Sequence, residues 1–118
     1  MPIPNSIAAM AETLTEWRRD FHRHPELAYE EERTARLVAE RLEAFALDHV
    51  ETGLGGTGVV GVLHGRDGPG GPAIMLRADM DALPITEATG AAHASTVPGK
   101  MHACGHDGHT TMLLGAAR

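Results

Sequence analysis

The end of the chain holds a dense group of residues that can bind a metal ion. The stretch KMHACGHDGHTTMLLGAAR contains five of them within eight positions: His102, Cys104, His106, Asp107 and His109. Thiolates and imidazoles are both good zinc ligands. Side chains two positions apart diverge on a helix but face the same side of an extended segment. A loop that leads into a helix can therefore present Cys104 and His106 to one metal or to two adjacent metals. A structural cysteine beside surface histidines is the alternative interpretation.

Two carboxylates in the stretch LRADMDALP form a second candidate. Asp79 and Asp81 follow a predicted buried strand, and functional residues of open α/β sheets gather at the carboxyl ends of strands. These side chains can ligate a metal, or they can orient a ligating histidine by accepting its second N–H. The alternative is structural, with Asp79 capping a turn and Asp81 paired with Arg77.

The elements that must position these residues begin with helices. Apolar residues spaced three and four apart predict a first helix that ends at Pro25, with the stripe Ile7, Met10, Leu14, Trp17 and Phe21. The stretch EEERTARLVAERLEAFAL predicts a second helix, and residues 107–117 predict another. His22 and His24 fall at the end of the first helix, where a structural role is favoured over a ligand role.

The glycine-rich middle of the chain predicts strands. The runs VVGVLH and AIMLRA are short and apolar, and the turn GRDGPGGP lies between them. Nearly continuous apolar runs are typical of strands covered on both faces. Residues 85–100 predict a polar loop. Helices combined with strands indicate the α/β fold class.

Composition excludes several functional classes. The chain has 118 residues, 42% of them hydrophobic, and a formal net charge of −6. This charge argues against nucleic-acid binding, which needs a concentrated basic surface. No apolar run is long enough to span a bilayer, and the first residues do not resemble a secretory signal. The single cysteine cannot form an internal disulfide, so we expect a reducing compartment and a cytoplasmic protein.

Three stretches stand in the order and context of one known family. They are WRRDFHRHPELAYEE, LRADMDALPI and PGKMHACGHDGHTTMLLGAA. From about residue 12 to its end, the chain resembles the hippurate hydrolase and N-acyl-amino-acid amidohydrolase group, a branch of the aminoacylase-type dinuclear metallopeptidases. The resemblance implies that residues 1–118 are the N-terminal portion of an α/β catalytic domain. The remainder of that domain, and an inserted domain that often mediates dimerisation, lie outside this sequence.

The resemblance also implies a reaction and roles for residues. Family members hydrolyse the amide bond of small N-acyl amino acids with two divalent metal ions, which are zinc, manganese, cobalt or nickel. Cys104 and His106 match the first two metal ligands. Asp79 matches a catalytic or site-orienting position, and Asp81 is its close second. The complete enzyme is then expected to form a homodimer.

The family's remaining ligands and its general base are not in this sequence. The base is a glutamate of a downstream Glu-Glu pair, and the other ligands are a glutamate and two histidines beyond it. We therefore expect the chain alone to be inactive. Two further hypotheses stay open. One is a non-catalytic module that holds a single divalent metal through Cys104, His106 and a nearby acidic or histidine side chain. The other is a hydrolase with Cys104 as nucleophile, activated by His106 or His109.

Overall fold

The structure is a computed structural model that describes residues 2–118. Its regular elements there are four helices and one β-hairpin. In chain order they are α1 (Asn5–Ala8), α2 (Ala11–Arg23), α3 (Glu32–Ala44), β1 (His49–Leu54), β2 (Gly58–Val62) and α4 (His106–Ala117). None of the helices in this part of the chain is both long and apolar enough to cross a membrane. The combination of helices with a sheet confirms the α/β prediction.

The first predicted helix is divided in two. Its stripe is buried only in α2, where Phe21 is 1% exposed, whereas Ile7 in α1 is 54% exposed. The predictions for α3 and α4 are confirmed to within two or three residues at each end. Periodicity located α2 because its apolar face has a partner to pack against, which α1 lacks.

The core lies where α2, α3 and α4 meet. Phe21, Val38, Leu42 and Leu114 form its buried centre, and Trp17, Phe45 and Met80 are among the side chains packed around it. The helices approach closely because α4 carries a glycine at the crossing. A Cβ on Gly115 would lie 3.1 Å from a methyl carbon of Leu14. The packing of α4 on α2 places the start of α4 beside the end of α2.

Glu26 organises the connection between α2 and α3. No side chain caps α3 at the residue before it. Instead, Glu26 accepts hydrogen bonds from the backbone N–H groups of Arg33 and Thr34, at 2.9 and 2.7 Å, and from the Thr34 hydroxyl at 2.6 Å. These bonds satisfy donors that a helix start leaves free, so the side chain of Glu26 stabilises the start of α3.

The strand predictions are partly wrong. β2 overlaps the predicted VVGVLH run, which spans residues 59–64, but it pairs antiparallel with β1, which the sequence did not reveal. The AIMLRA run forms no strand: Ile74 and Met75 are 90% and 87% exposed, and residues 73–78 have no sheet partner among residues 2–118. The hairpin is also largely exposed, which corrects the expectation of strands covered on both faces. β1 was missed because HVETGL carries a charged and a glycine position, so it lacks a continuous apolar run.

Candidate metal centre

The chain turns sharply between the two predicted metal ligands. Gly105 lies between them with φ +91°, a left-handed conformation that glycine adopts easily, and α4 begins at the next residue. Cys104 is exposed and free, and His106 is half-buried. This arrangement is the loop leading into a helix that the sequence predicted for the Cys104-Gly105-His106 step.

Asp81 holds the ring of His106. The Nδ1–H group of His106 donates to the Asp81 carboxylate and to the Asp81 carbonyl oxygen, both at 3.0 Å. Because both partners are acceptors, the proton lies on Nδ1. Nε2 then carries the free electron pair that a metal requires. Metal-bound histidines commonly donate their other N–H to a carboxylate in this way.

Asp79 lies on the opposite side of the same ring. Its Oδ2 atom is 3.7 Å from His106 Nε2, and its carbonyl oxygen accepts a hydrogen bond of 2.8 Å from Thr110 in α4. Arg77 pairs with the Asp79 carboxylate. The structural alternative that paired Arg77 with Asp81 is therefore wrong, and both carboxylates meet at His106.

A second group of charged side chains lies behind the start of α4. His22 Nδ1 is 2.9 Å from Asp107 Oδ2, and His22 Nε2 is 3.2 Å from Glu87 Oε1. Arg18 donates to the same Asp107 oxygen at 3.2 Å. The sequence favoured a structural role for His22 and gave no indication of Glu87. The position of Asp107 directly after His106 was the only signal for this group.

The two carboxylates of this group are strongly held as anions. Burial opposes ionisation of Glu87, but hydrogen bonds from Thr89, the Ser95 backbone N–H and His22 outweigh it and hold the pKa of Glu87 at about 2. Burial also opposes ionisation of Asp107. The hydrogen bond with His22 and the nearby Gly108 backbone N–H outweigh it, so the Asp107 pKa is lowered as well.

The other histidines of the motif separate from the ligand pair. His102 is buried near His22, with 6.3 Å between ring centroids, and burial lowers its pKa. Neither ring nitrogen of His102 has a hydrogen-bond partner among residues 2–118. His109 is exposed, and its ring centroid is 5.7 Å from that of His106. Neither residue takes part in orienting the His106 ring.

The donor set is chemically suited to a metal but incomplete. An exposed thiol and an imidazole with a free Nε2 are ligands that zinc and similar ions accept. Within residues 2–118, however, no three His, Cys, Asp or Glu side chains are arranged to hold an ion. A catalytic zinc wants about three protein ligands. The residues therefore fit part of a metal site.

The cysteine-nucleophile hypothesis gains no support from the same geometry. A nucleophilic cysteine needs an adjacent base within hydrogen-bond reach. The His106 ring instead contacts Asp81 and faces Asp79. No hydrogen bond joins Cys104 to an imidazole in the part of the chain that the structure describes.

An open groove of about 350 Å³ adjoins the two carboxylates. Asp79 and Asp81 line it, together with Tyr29, Leu54 and Arg77. A larger groove, of about 480 Å³, lies between α3 and the hairpin and includes none of the candidate site residues. The smaller groove therefore adjoins Asp79 and Asp81, while Cys104 and His106 are not among its lining residues.

Comparison with known proteins gives consistent matches. A sequence profile described as Peptidase family M20/M25/M40 matches residues 75–118. The N-acyl-L-amino acid amidohydrolase of Geobacillus stearothermophilus is 50% identical over 103 residues, which are 86% of this chain and 27% of that protein. A Rhodococcus jostii protein named for glutamate–cysteine ligase 2-3 is 54% identical over 105 residues, 88% of this chain but only 13% of that protein.

The fold matches as well. The Bacillus subtilis YXEP protein, described as a dinuclear metal-binding peptidase of the M20 family, superimposes with a TM-score of 0.85 at 43% identity. The match covers 93% of this chain and 30% of that protein. The chain thus spans about a quarter of the amidohydrolase and under a third of the solved peptidase, and the α/β assignment is confirmed.

Proposed function

Because the chain corresponds to the N-terminal part of peptidase family M20/M25/M40, we propose that the complete protein is a metal-dependent amidohydrolase. Its substrates are small N-acyl amino acids such as hippurate or N-acetyl amino acids, and it hydrolyses their amide bond. The observation that carries the proposal is the His106 ring. Asp81 holds this ring through Nδ1, so that Nε2 is free one glycine away from the Cys104 thiol.

Each residue of this partial metal site has a distinct role in the proposal. Cys104 and His106 hold metal, and Asp81 fixes the tautomer and orientation of the imidazole. Asp79 is the carboxylate nearest to His106 Nε2, and Arg77 pairs with it. Divalent metals bound here supply a Lewis acid for the amide carbonyl and lower the pKa of water.

The groove beside the carboxylates is the proposed approach for substrate. Arg77 is exposed on its wall, and its guanidinium can pair with the carboxylate of an N-acyl amino acid. Tyr29 lies on the same wall with φ +66°, which is an uncommon conformation for a tyrosine.

The name of the Geobacillus relative supports the substrate class, and the description of YXEP supports two metals. Zinc, manganese, cobalt and nickel are all compatible with thiolate, imidazole and carboxylate ligands. A homodimer and a cytoplasmic location complete the proposal, since Cys104 must stay reduced to bind metal.

The isolated 118-residue chain is proposed to be inactive. It supplies two proposed metal ligands, Cys104 and His106, whereas a two-metal site needs more ligands. Turnover of hippurate or N-acetyl-methionine by the purified chain, abolished by a chelator, would refute this. The intact mass of the native protein that carries the peptide MPIPNSIAAMAETLTEWR tests the premise directly, because a mass several times 12.5 kDa identifies the chain as part of a longer enzyme.

The ligand assignment is tested in that native protein with two matched variants. Cys104→Ser should abolish both hydrolysis of N-acetyl-methionine and the thiolate charge-transfer band of the cobalt-substituted protein. His109→Ala should keep the band, because this exposed histidine contacts the ring of His106 without orienting it. An unchanged cobalt spectrum in Cys104→Ser would remove Cys104 from the metal site.

A non-catalytic module that holds one metal remains the second candidate, since two ligands are present. It predicts that the isolated chain binds one cobalt ion with a thiolate band but does not hydrolyse any of these substrates. Full-length native protein of 12.5 kDa with such a band would favour the module over the amidohydrolase.

A further inference from the structure

His22 joins three segments that are distant in the sequence. It lies in the last turn of α2, and its two ring nitrogens contact Asp107 in the first turn of α4 and Glu87 in the loop before α4. The side chains are only 8%, 0% and 3% exposed for His22, Asp107 and Glu87. Asp107 and Glu87 therefore lie at the two opposite nitrogens of one imidazole ring, 2.9 and 3.2 Å away.

The start of α4 depends on anchors of this kind. No side chain caps its first turn, and Gly105 before it adopts a left-handed conformation with φ +91°. Two contacts fix the turn from opposite sides. Asp81 holds His106, and His22 holds Asp107, the next residue along.

Arg18 is the weaker partner of Asp107. It reaches the same carboxylate oxygen at 3.2 Å, but its side chain is 52% exposed, whereas that of His22 is 8% exposed. Exposed ion pairs contribute little because water screens them. The other oxygen of Asp107 is buried without a partner among residues 2–118. His22 is therefore the main fixed point for this side chain.

We propose that His22 is a positioning residue for the metal site, which acts through Asp107 to fix the turn that presents Cys104 and His106. This inference rests on the proposed function. Glu87 supports it from behind, because Glu87 also accepts the Ser95 backbone N–H at 2.6 Å and so fixes the loop that holds the second nitrogen of His22. The ring of His93, 5.3 Å away from that of His22, packs edge-on against it.

Two amide substitutions distinguish the contact of His22 with Asp107 from its contact with Glu87. In His22→Asn the amide nitrogen takes the place of Nδ1, so the contact to Asp107 can be kept while the contact to Glu87 is lost. In His22→Gln the amide nitrogen takes the place of Nε2, so the Glu87 contact can be kept while the Asp107 contact is lost. His24→Asn is the matched control. His24 lies one residue beyond α2, and its ring Nδ1 hydrogen-bonds the carbonyl oxygen of Asp20 at 2.8 Å.

Cobalt binding by the full-length native apoprotein is the measurement, followed through the thiolate charge-transfer band of Cys104. We expect His22→Gln to raise the dissociation constant for cobalt on the order of 10–100-fold, the range typical for loss of a residue that orients a ligand, and to shift the band at saturation. His22→Asn should weaken binding clearly less, and His24→Asn should not change it.

Equal weakening by both amides, a larger effect of His22→Asn, or no change in either variant would overturn the positioning role. If His22→Gln does not fold, Asp107→Asn replaces it, and unchanged cobalt affinity there has the same consequence. Failure of the proposed function looks different. In that case the wild-type protein itself lacks a thiolate band.

Discussion

Residues 73–76 are the most exposed apolar run of the chain, and they predict how the isolated 118 residues behave in solution. Ile74, Met75 and Leu76 are 90%, 87% and 65% exposed, in extended backbone without a strand partner among residues 2–118. An unpaired apolar segment is a template for pairing with another chain. We expect the isolated chain to associate through this segment or to be partly molten.

The free energy available from burying exposed apolar surface can be estimated from the accessible surface of the molecule. Its accessible surface is 7848 Å², whereas a compact monomer of this mass exposes about 6,200 Å². The radius of gyration is 15.4 Å, against about 13.5 Å for a compact domain of this length. If somewhat over half of the excess surface is apolar, its burial would contribute about 24 kcal/mol as an upper bound. Net stabilities of whole domains are about 5–15 kcal/mol, so the unburied surface is large enough to decide the state of the chain.

The assay is light scattering coupled to size-exclusion chromatography, with binding of an apolar dye as a second readout. Ile74→Lys should shift the isolated chain towards the monomer mass of 12.5 kDa. Met112→Lys adds the same charge at an exposed methionine on α4 and should leave association unchanged. A wild-type chain that is monomeric and unfolds in one sharp thermal transition would refute the reasoning.

Three further predictions concern side chains around the site and the first helices. Asp81→Asn removes the carboxylate that holds His106, and cobalt titration of the native protein should show affinity lowered on the order of 10–100-fold; equal affinity would mean that Asp81 does not orient the ring. Glu87→Gln should lower thermal stability in a pH-dependent manner. The pKa of Glu87 is lowered from 4.5 to about 2 in the folded protein, so the stability it contributes is complete above pH 4.5 and is lost as the pH falls towards 2. Melting temperatures of wild type and variant should therefore converge near pH 2, and a constant difference would contradict this. Glu26→Ala should lower the free energy of unfolding in urea by about 1 kcal/mol, because it uncaps α3. Its control Glu40→Ala, at an exposed helix pair, should change it by less than about 0.5 kcal/mol, and equal losses would contradict a capping role.

Patterns within one element were enough to predict much of the fold. The stripe of α2 and the sequence of α3 locate both helices, and the Cys104-Gly105-His106 step predicts a loop leading into a helix, which the structure contains. Strand partners were not predictable in this way. β1 lacks an apolar run, and residues 73–78 have the composition of a buried strand but no partner among residues 2–118. Strand formation depends on a partner, which local composition does not specify.

In the candidate site, too, residue types were predictable from the sequence, whereas individual contacts were not. The ligand types of Cys104 and His106 were readable from the sequence, and so was a carboxylate able to orient a histidine. The sequence does not reveal which carboxylate orients the histidine, because Asp79 and Asp81 are both aspartates and lie only two positions apart. The structure distinguishes them by contact: Asp81 accepts the His106 N–H at 3.0 Å, while Asp79 is 3.7 Å from the other nitrogen.

Long-range contacts then explain why a short motif needs so much chain around it. His106 is held by a residue 25 positions earlier, and Asp107 by one 85 positions earlier. His22 lies on α2, which packs against α4, whereas the Asp81 segment is held by the backbone hydrogen bond from Ala82 to Glu26 at 2.7 Å. Gly105 has no side chain to fix this turn, so the two contacts help to set its geometry. It follows that a substitution in α2, far from Cys104 in sequence, should alter metal binding more than one at His109 within the motif itself.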